Sequence, residues 1–401
     1  MQEKRTLLRA TGLATVICMS LGSGAGAQDA IQTQLYELEV ETIAEPLEHP
    51  WGLALLPSER FIVTERNSGR LYVGTENGEL SDPLDGIPQV YSFIGETART
   101  QGGLFDIKLH PDFQENETVF ISLARPTERG AAVVILRAQL TGEGTDIQLS
   151  DVEEIFTMQE ADQDPSGLHF GGRMAIASDG GSIYLSIGER RNLERSQDPE
   201  DQAGAILRLT EDGEPHPDQP DFDAGEADQY LYSMGHRNIQ SLALDPQSGE
   251  LWAVDHGPEG GDRLDRVEAG ENYGWPFISG GPDYSGAPIG VGLQHEGMVS
   301  PLHVFEDTIA PSGLVIYDGD MFEDWRGDML IGGLQAEGIV RVRVDGDEVI
   351  EEEWITLDRR IRDVQVADDG ALWLITEHED GEVLRVSARG AATGTIPGEG
   401  D

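Results

Sequence analysis

The chain has 401 residues, of which 38% are hydrophobic, and a formal net charge of −48. An acidic balance this strong excludes nucleic acid and anionic membrane surfaces as partners, since both repel it, while 38% hydrophobic residues in regular short runs exclude wholesale disorder. Lysine is nearly absent, with only Lys4 and Lys108, and 25 arginines supply the other cations; acid excess with lysine depletion points to a saline medium that screens self-repulsion.

Residues 1–27 read as a signal peptide. Lys4, Arg5 and Arg9 form a positive start, residues 11–22 a short apolar run, and Ala25-Gly26-Ala27 a small-residue cleavage site before Gln28. The expected location is therefore periplasmic or secreted. The apolar run is too short to cross a bilayer, and no later stretch resembles a membrane span. Cys18 is the only cysteine and leaves with this leader. Ile17 stands before it where a lipoprotein would want a small residue. A mature chain without cysteine excludes thiol catalysis and cysteine–zinc sites.

From residue 49 onward a pattern repeats. The stretches HPWGLALLPSERFIVTER (49–66), QGGLFDIKLHPDFQENETVFISLAR (101–125) and HFGGRMAIASDGGSIYLSIGER (169–190) share it. So do HRNIQSLALDPQSGELWAVDHG (236–257), IAPSGLVIYDGDMFEDWRGDMLIGGL (309–334) and RIRDVQVADDGALWLITEHEDG (360–381). Each has a polar or Gly-rich start, an apolar strand, an Asp/Pro/Gly turn and a second apolar strand. A third strand often follows, as in GRLYVG, AAVVILRAQL and GIVRVRVDG. Six such units predict an all-β chain folded as a six-bladed β-propeller over residues 28–388. Residues 35–45 are placed as an outer strand closing the ring against the last blade, and 389–401 as a flexible tail.

A propeller brings the starts of its inner strands to one mouth of a central channel. Here those starts carry His49, Gln101, His169, Arg237 with Asn238, Ser312, and Arg360 with Arg362. Three arginines gathered in so acidic a chain await an anion, and guanidinium binds carboxylates bidentately; pairing with the chain's own acids is the plainer alternative. His169 is either a satisfied turn residue or a base. A hairpin over 169–189 would return Glu189 beside it, fixing the tautomer and strengthening the far nitrogen. No serine or cysteine nucleophile accompanies the pair, so proton abstraction coupled to hydride removal fits better than acyl transfer. Segment 255–276, dense in Gly, Pro and carboxylates, offers oxygens to calcium without matching an EF-hand, or is simply a tight turn. No phosphate-binding glycine motif opens a helix, which speaks against a Rossmann-bound nicotinamide or flavin.

The motifs HPWGLALLP, QGGLFDIKLHPDF, HFGGR, GHRN, HGPEGGD…NYGWP, IAPSGL and RIRDV, in this order over about residues 45–387, resemble the soluble pyrroloquinoline quinone (PQQ) dependent dehydrogenases of the glucose/sorbosone dehydrogenase family, most closely the aldose sugar dehydrogenase branch. The resemblance implies a propeller with PQQ and calcium at the mouth, oxidising an aldose at C1 to a lactone and passing electrons to an external acceptor. It implies that His169 is the base for the anomeric hydroxyl during hydride transfer to the quinone, with Glu189 standing where the family usually has Asp. It further implies that Gln101, Arg237 and Asn238 contact cofactor or substrate, with Arg237 stabilising charge on the quinone. Arg360 and Arg362 would hold PQQ carboxylates, Gly257 and Pro258 would ligate calcium through backbone carbonyls, and Asp262 would support that loop and the cofactor. Two departures stand out. GGLQAEG lacks the cofactor lysine of the larger glucose dehydrogenases. Arg263 replaces a Glu that ligates a second calcium together with tyrosines matching Tyr273 and Tyr284, so that site is expected to be lost, with Arg263 filling its charge role. The alternatives are a non-catalytic sugar- or anion-binding propeller and a calcium-dependent lactonase, which would need side-chain carboxylates around a central ion. Residues 277–308 are expected to form a long loop over the mouth.

Overall fold

The structure is a computed structural model that describes residues 30–92, 100–222 and 226–391. The leader at 1–27 and the tail beyond 391 lie outside these residues. Strands dominate; among the described residues the α-helix is a single four-residue turn, Phe113–Asn116.

Six antiparallel sheets follow one another as the repeat requires. Blade 1 comprises Pro50–Leu56, Arg60–Glu65 and Leu71–Thr75. Blade 2 runs from Leu104–Leu109 out to Asp146–Thr157, and blade 3 from Met174–Ile176 out to Leu231–Met234. Blade 4 runs from Ile239–Leu244 out to His303–Val304, and blade 5 from Pro311–Ile316 out to Glu348–Thr356. Blade 6 takes Ile361–Val366, Leu372–Thr376 and Gly381–Ala391 from the C-terminal end. Its next strand is Tyr36–Leu47 from the N-terminal end, paired with Gly381–Ala391. The ring is thus closed by the segment expected to close it, which pairs the free edge of Gly381–Ala391. Strand Gly381–Ala391 runs to the last described residue.

Apolar residues alternate between the two faces of each blade and meet those of the next, as in the cluster joining Trp51, Phe105, Ile121 and Phe170 across blades 1 to 3. A second device repeats around the ring. A hydroxyl on one blade donates to a carbonyl on the inner segment of the next. Thr64 reaches Phe105 O at 2.6 Å, Ser122 reaches Gly172 O at 2.5 Å, Ser186 reaches Ile239 O at 3.0 Å, and Ser312 reaches Ile361 O at 2.6 Å. Ser312, at the start of its unit, is therefore a blade lock rather than a group presented to the mouth. The seam uses a carboxylate instead: Asp363 of blade 6 accepts the Leu53 N–H of blade 1 at 3.0 Å.

Arg173 fills the waist of the channel. Its guanidinium lies 3.2 Å from Asp106 and 3.1 Å from Asp363, donates to the carbonyls of Gln240 and Arg362, and stacks 4.1 Å from the Trp51 ring. Both carboxylates at the waist are thereby neutralised. This leaves the mouth above Arg173 as the place for chemistry.

Candidate functional site

His169 lies in the turn that leads into the inner strand of blade 3, five residues before Met174, with a left-handed φ of 48°. Such a backbone is uncommon for a residue with a side chain. The two glycines that follow allow it. A Cβ on Gly171 would sit 2.6 Å from Ser186 O, and one on Gly172 would sit 2.6 Å from the Phe105 ring. The turn is pinned from three sides. His169 N–H donates to Gln101 Oε1 at 2.8 Å, Gly171 N–H donates to Asn238 Oδ1 at 3.1 Å, and Phe170 lies under the Arg190 guanidinium at 3.5 Å. Gln101 and Asn238, expected to contact cofactor or substrate, spend these oxygens on positioning the histidine.

The hairpin from Met174–Ile176 to Ile183–Ile187 returns Glu189 to His169. His169 Nδ1 and Glu189 Oε2 are 2.5 Å apart, and Glu189 is 1% exposed. With the Nδ1 proton donated to this carboxylate, Nε2 carries the lone pair and makes no hydrogen bond among the described residues. Burial pushes the imidazole pKa below its ordinary value, and Arg237 and Arg191 push it further, against the opposing pull of Glu189. The ring is consequently neutral at pH 7, the form a base requires.

Arg237 and Asn238 are set by Asp255, whose two oxygens accept their backbone N–H groups at 2.7 Å each. The Arg237 side chain is buried, yet it bonds only the His256 carbonyl at 3.2 Å and the Tyr284 hydroxyl at 3.4 Å. No carboxylate pairs with it among the described residues. Arg360 likewise donates to a carbonyl, Leu334 O at 2.9 Å. Arg362 differs: it is paired with Glu377 at 2.8 Å and bonded to Gln240 at 2.8 Å. For this residue the plainer alternative, an internal acid, holds in part. Glu377 also serves Arg66 at 3.1 Å and His49 at 3.3 Å, and its cationic neighbours hold its pKa well below the usual carboxylate range despite burial. One carboxylate thus answers two guanidiniums, while Arg237 and Arg360 have none. The mouth keeps a positive surplus inside a strongly acidic protein.

Asp262 is bound up with the backbone of its own loop and the next blade. Its carboxylate is 1% exposed and accepts N–H groups of Gly257, Ile309 and Ala310 at 2.8, 2.9 and 2.8 Å. It clamps the Gly257–Pro258 loop through both of its oxygens. Tyr273 and Tyr284 do not share a site through their side chains. Tyr273 is buried with its hydroxyl on Arg266 O at 2.7 Å, whereas Tyr284 is 59% exposed and faces Arg237. Arg263 is the first residue of a blade strand, Arg263–Val267; its guanidinium donates to Tyr273 O at 2.7 Å and lies 2.9 Å from Asp265. Among the described residues no three His, Cys, Asp or Glu side chains are placed to hold a metal. A cation at Gly257–Pro258 would rest on backbone carbonyls and on oxygens of the bound anion.

Sequence reasoning overlooked Glu377, Arg66, Arg191 and His256. Glu377 ends an inner hairpin of blade 6 as Glu189 ends that of blade 3, so the repeat itself carried the signal.

A family model for glucose / sorbosone dehydrogenase matches residues 47–385. The aldose sugar dehydrogenase YliI of Escherichia coli (strain K12) is 34% identical, over 88% of this chain and 93% of that one. The crystal structure of the soluble aldose sugar dehydrogenase of Escherichia coli, in its apo form, superposes with a TM-score of 0.80 at 32% identity, covering 88% of this chain and all of that one. The PQQ-bound aldose sugar dehydrogenase of Streptomyces coelicolor superposes at 0.69 with 26% identity, covering 87% and 98%. By its sequence and its six-bladed fold, this chain belongs to the glucose/sorbosone dehydrogenase family.

Proposed function

We propose that this protein is a quinoprotein aldose dehydrogenase, oxidising aldoses at C1 to lactones and passing the electrons to an external acceptor. The observation that carries this reading is the buried His169–Glu189 pair, open at Nε2 and set beside guanidiniums with no carboxylate of their own. The residues fit PQQ, an anion with three carboxylates: Arg237 and Arg360 are free of acidic partners, and Arg362 retains one uncommitted amino group. PQQ, when bound, supplies the two-electron acceptor for the C1 hydride, polarised by a calcium on the Gly257 and Pro258 carbonyls.

The chain's own residues do the rest. His169 Nε2 takes the proton of the anomeric hydroxyl. Glu189 holds the ring in the competent tautomer and stabilises the imidazolium that forms. Gln101 and Asn238 hold the His169 turn. Arg237 presents a fixed cation where negative charge develops, at no cost in reorganisation. The Arg263 guanidinium, buried on Tyr273 O and Asp265, supports the loss of the second calcium, since a tethered cation already sits there. Metal analysis should find no more than one tightly held calcium per chain. The leader at 1–27 supports export to the periplasm or beyond.

The test is a titration of the apoprotein with PQQ and calcium, followed by quinone absorbance. Saturable binding is expected, weakened at least about tenfold by Arg237→Met. Absence of binding to the wild type would overturn the reading.

A further inference from the structure

Tyr284 is 59% exposed, yet its position is fixed by its surroundings. Its hydroxyl lies 3.4 Å from the Arg237 guanidinium, and the Arg191 guanidinium lies 5.5 Å from the centre of its ring. Its backbone belongs to a tight turn. Asp283 N–H donates to Ala287 O at 2.8 Å, and Gly286 N–H donates to Asp283 O at 2.7 Å. The Ser285 hydroxyl and N–H both donate to Asp283 Oδ1, at 2.6 and 2.9 Å. Pro282 O accepts the Glu259 N–H at 3.1 Å, which ties this turn to the Gly257–Pro258 loop. An exposed tyrosine by itself needs no explanation; this one is fastened to two sides of the site.

The two guanidiniums at Tyr284 flank the carboxylate that serves His169. Arg191 N–H donates to Glu189 Oε2 at 3.2 Å, and Glu189 N–H donates to Arg237 O at 2.9 Å. The ring therefore stands near the His169–Glu189 pair, on the solvent side of the mouth, where an incoming molecule can reach it. It offers an apolar face and a polar tip among neighbours that are charged. An aldopyranose has the complementary make-up, a ring face of C–H bonds with a rim of hydroxyls. Small-molecule sites set aromatic surface against the apolar part of a ligand and a few polar groups against the rest. Phe277, on the same loop, is placed differently: it is 44% exposed and stacks on His295, with ring centres 5.3 Å apart.

We propose that Tyr284 is a specificity-determining residue, the wall on which the C–H face of an aldopyranose rests while its anomeric hydroxyl meets His169 Nε2. This rests on the quinoprotein reading for the identity of the sugar. The contact with Arg237 sets where the ring stands, and the ring supplies the recognition.

Three variants test it: Tyr284→Ala, which removes the ring, Tyr284→Phe, which removes only the hydroxyl, and Phe277→Ala, which removes the other exposed aromatic of the loop. The readouts are KM and kcat for D-glucose with PQQ and calcium present, the PQQ dissociation constant, and NMR saturation transfer from the protein to methyl β-D-glucopyranoside, whose C1 hydroxyl is blocked. Tyr284→Ala should raise KM about tenfold with kcat and PQQ affinity little changed, and should abolish the transfer. Tyr284→Phe should keep most of both signals, and Phe277→Ala should alter neither. An unchanged KM in Tyr284→Ala would overturn the proposal, as would an equal rise in Phe277→Ala. A Tyr284→Phe variant as impaired as Tyr284→Ala would assign the role to the hydroxyl and its arginine, and a matching loss of PQQ affinity in Tyr284→Ala would assign the ring to the cofactor; either refutes the sugar wall. If the wild type reduces no dye with any aldose, the quinoprotein reading falls by itself. Saturation transfer that is present in the wild type and lost in Tyr284→Ala would then still support the wall, and its absence from the wild type would refute it.

Discussion

Two buried arginines in this molecule have opposite surroundings. Arg341, in blade 5, is fully buried and meets Asp328 at 2.5 Å, Glu353 at 2.9 Å and Glu351. Arg237, at the mouth, is 3% exposed, and its guanidinium bonds no carboxylate among the described residues, only a carbonyl and a phenol. The chain has acids to spare, so the mouth is not short of them by composition. Burial alone does not separate a structural arginine from a functional one; the presence of its counter-charge does. Arg341 is neutralised within the fold, and Arg237 lacks the counter-charge that the proposed anion would supply.

The sharpest way to break this contrast is to replace each guanidinium by an apolar side chain of similar length. Arg341→Met leaves a buried Asp328 that Arg343 compensates only in part. We expect a loss of about 3 kcal/mol or more in unfolding free energy, read by denaturant titration. Arg237→Met should leave stability unchanged or raised while abolishing tight PQQ binding. Equal destabilisation by both would erase the distinction.

Next in size is the partner of the base. Glu189→Gln preserves the shape of the contact but removes the charge that stabilises an imidazolium on His169. Turnover should fall about 10²-fold or more, with PQQ affinity nearly unchanged. Glu189→Asp, with a shorter reach, should keep part of the activity. An unaffected kcat in Glu189→Gln would show that the short contact is only structural.

A smaller effect concerns pH. Because burial and the nearby arginines lower the His169 pKa, the neutral base persists below the ordinary histidine range of about 6.5. The acid limb of kcat/KM should therefore fall below that value. Removing a cation relaxes the depression, so Arg191→Gln should move the limb upward. A limb above the ordinary histidine value, or a downward shift in the variant, would contradict the assignment. Smallest per residue, and spread over the surface, is the effect of salt: the unfolding midpoint should rise from low to molar NaCl as screening relieves the net charge. A flat curve would remove the saline-medium reading.

The fold was legible because a blade is a local object. Strand, turn and strand recur within a short stretch, and six repeats of that pattern leave little choice of architecture. The closing strand at 36–47 was also readable, since an alternating segment ahead of the first unit has one seam to fill. The third strand of blade 4 was not recognised. Arg263–Val267 directly follows a Gly-rich run and was read as part of a ligand loop. Within the site, His169 and Glu189 were legible as the two ends of one hairpin. Glu377 was legible only as the end of the corresponding hairpin of blade 6; its contacts with His49 and Arg66, from the far end of the chain, were not. The reach of Asp262 was hidden for a related reason. An acid in a Gly-rich loop gives no sign that one of its oxygens accepts the backbone N–H groups of residues 309 and 310. His256 gave no signal in sequence, since it serves Arg237 through its backbone carbonyl.

The most direct measurement is aldose-dependent dye reduction by the protein reconstituted with PQQ and calcium, with His169→Gln run beside it. The account predicts turnover of at least one aldose by the wild type, dependent on both additions, and loss of about 10²–10⁴-fold in the variant with PQQ still bound. Turnover of similar rate in His169→Gln would contradict the central claim that this imidazole is the base.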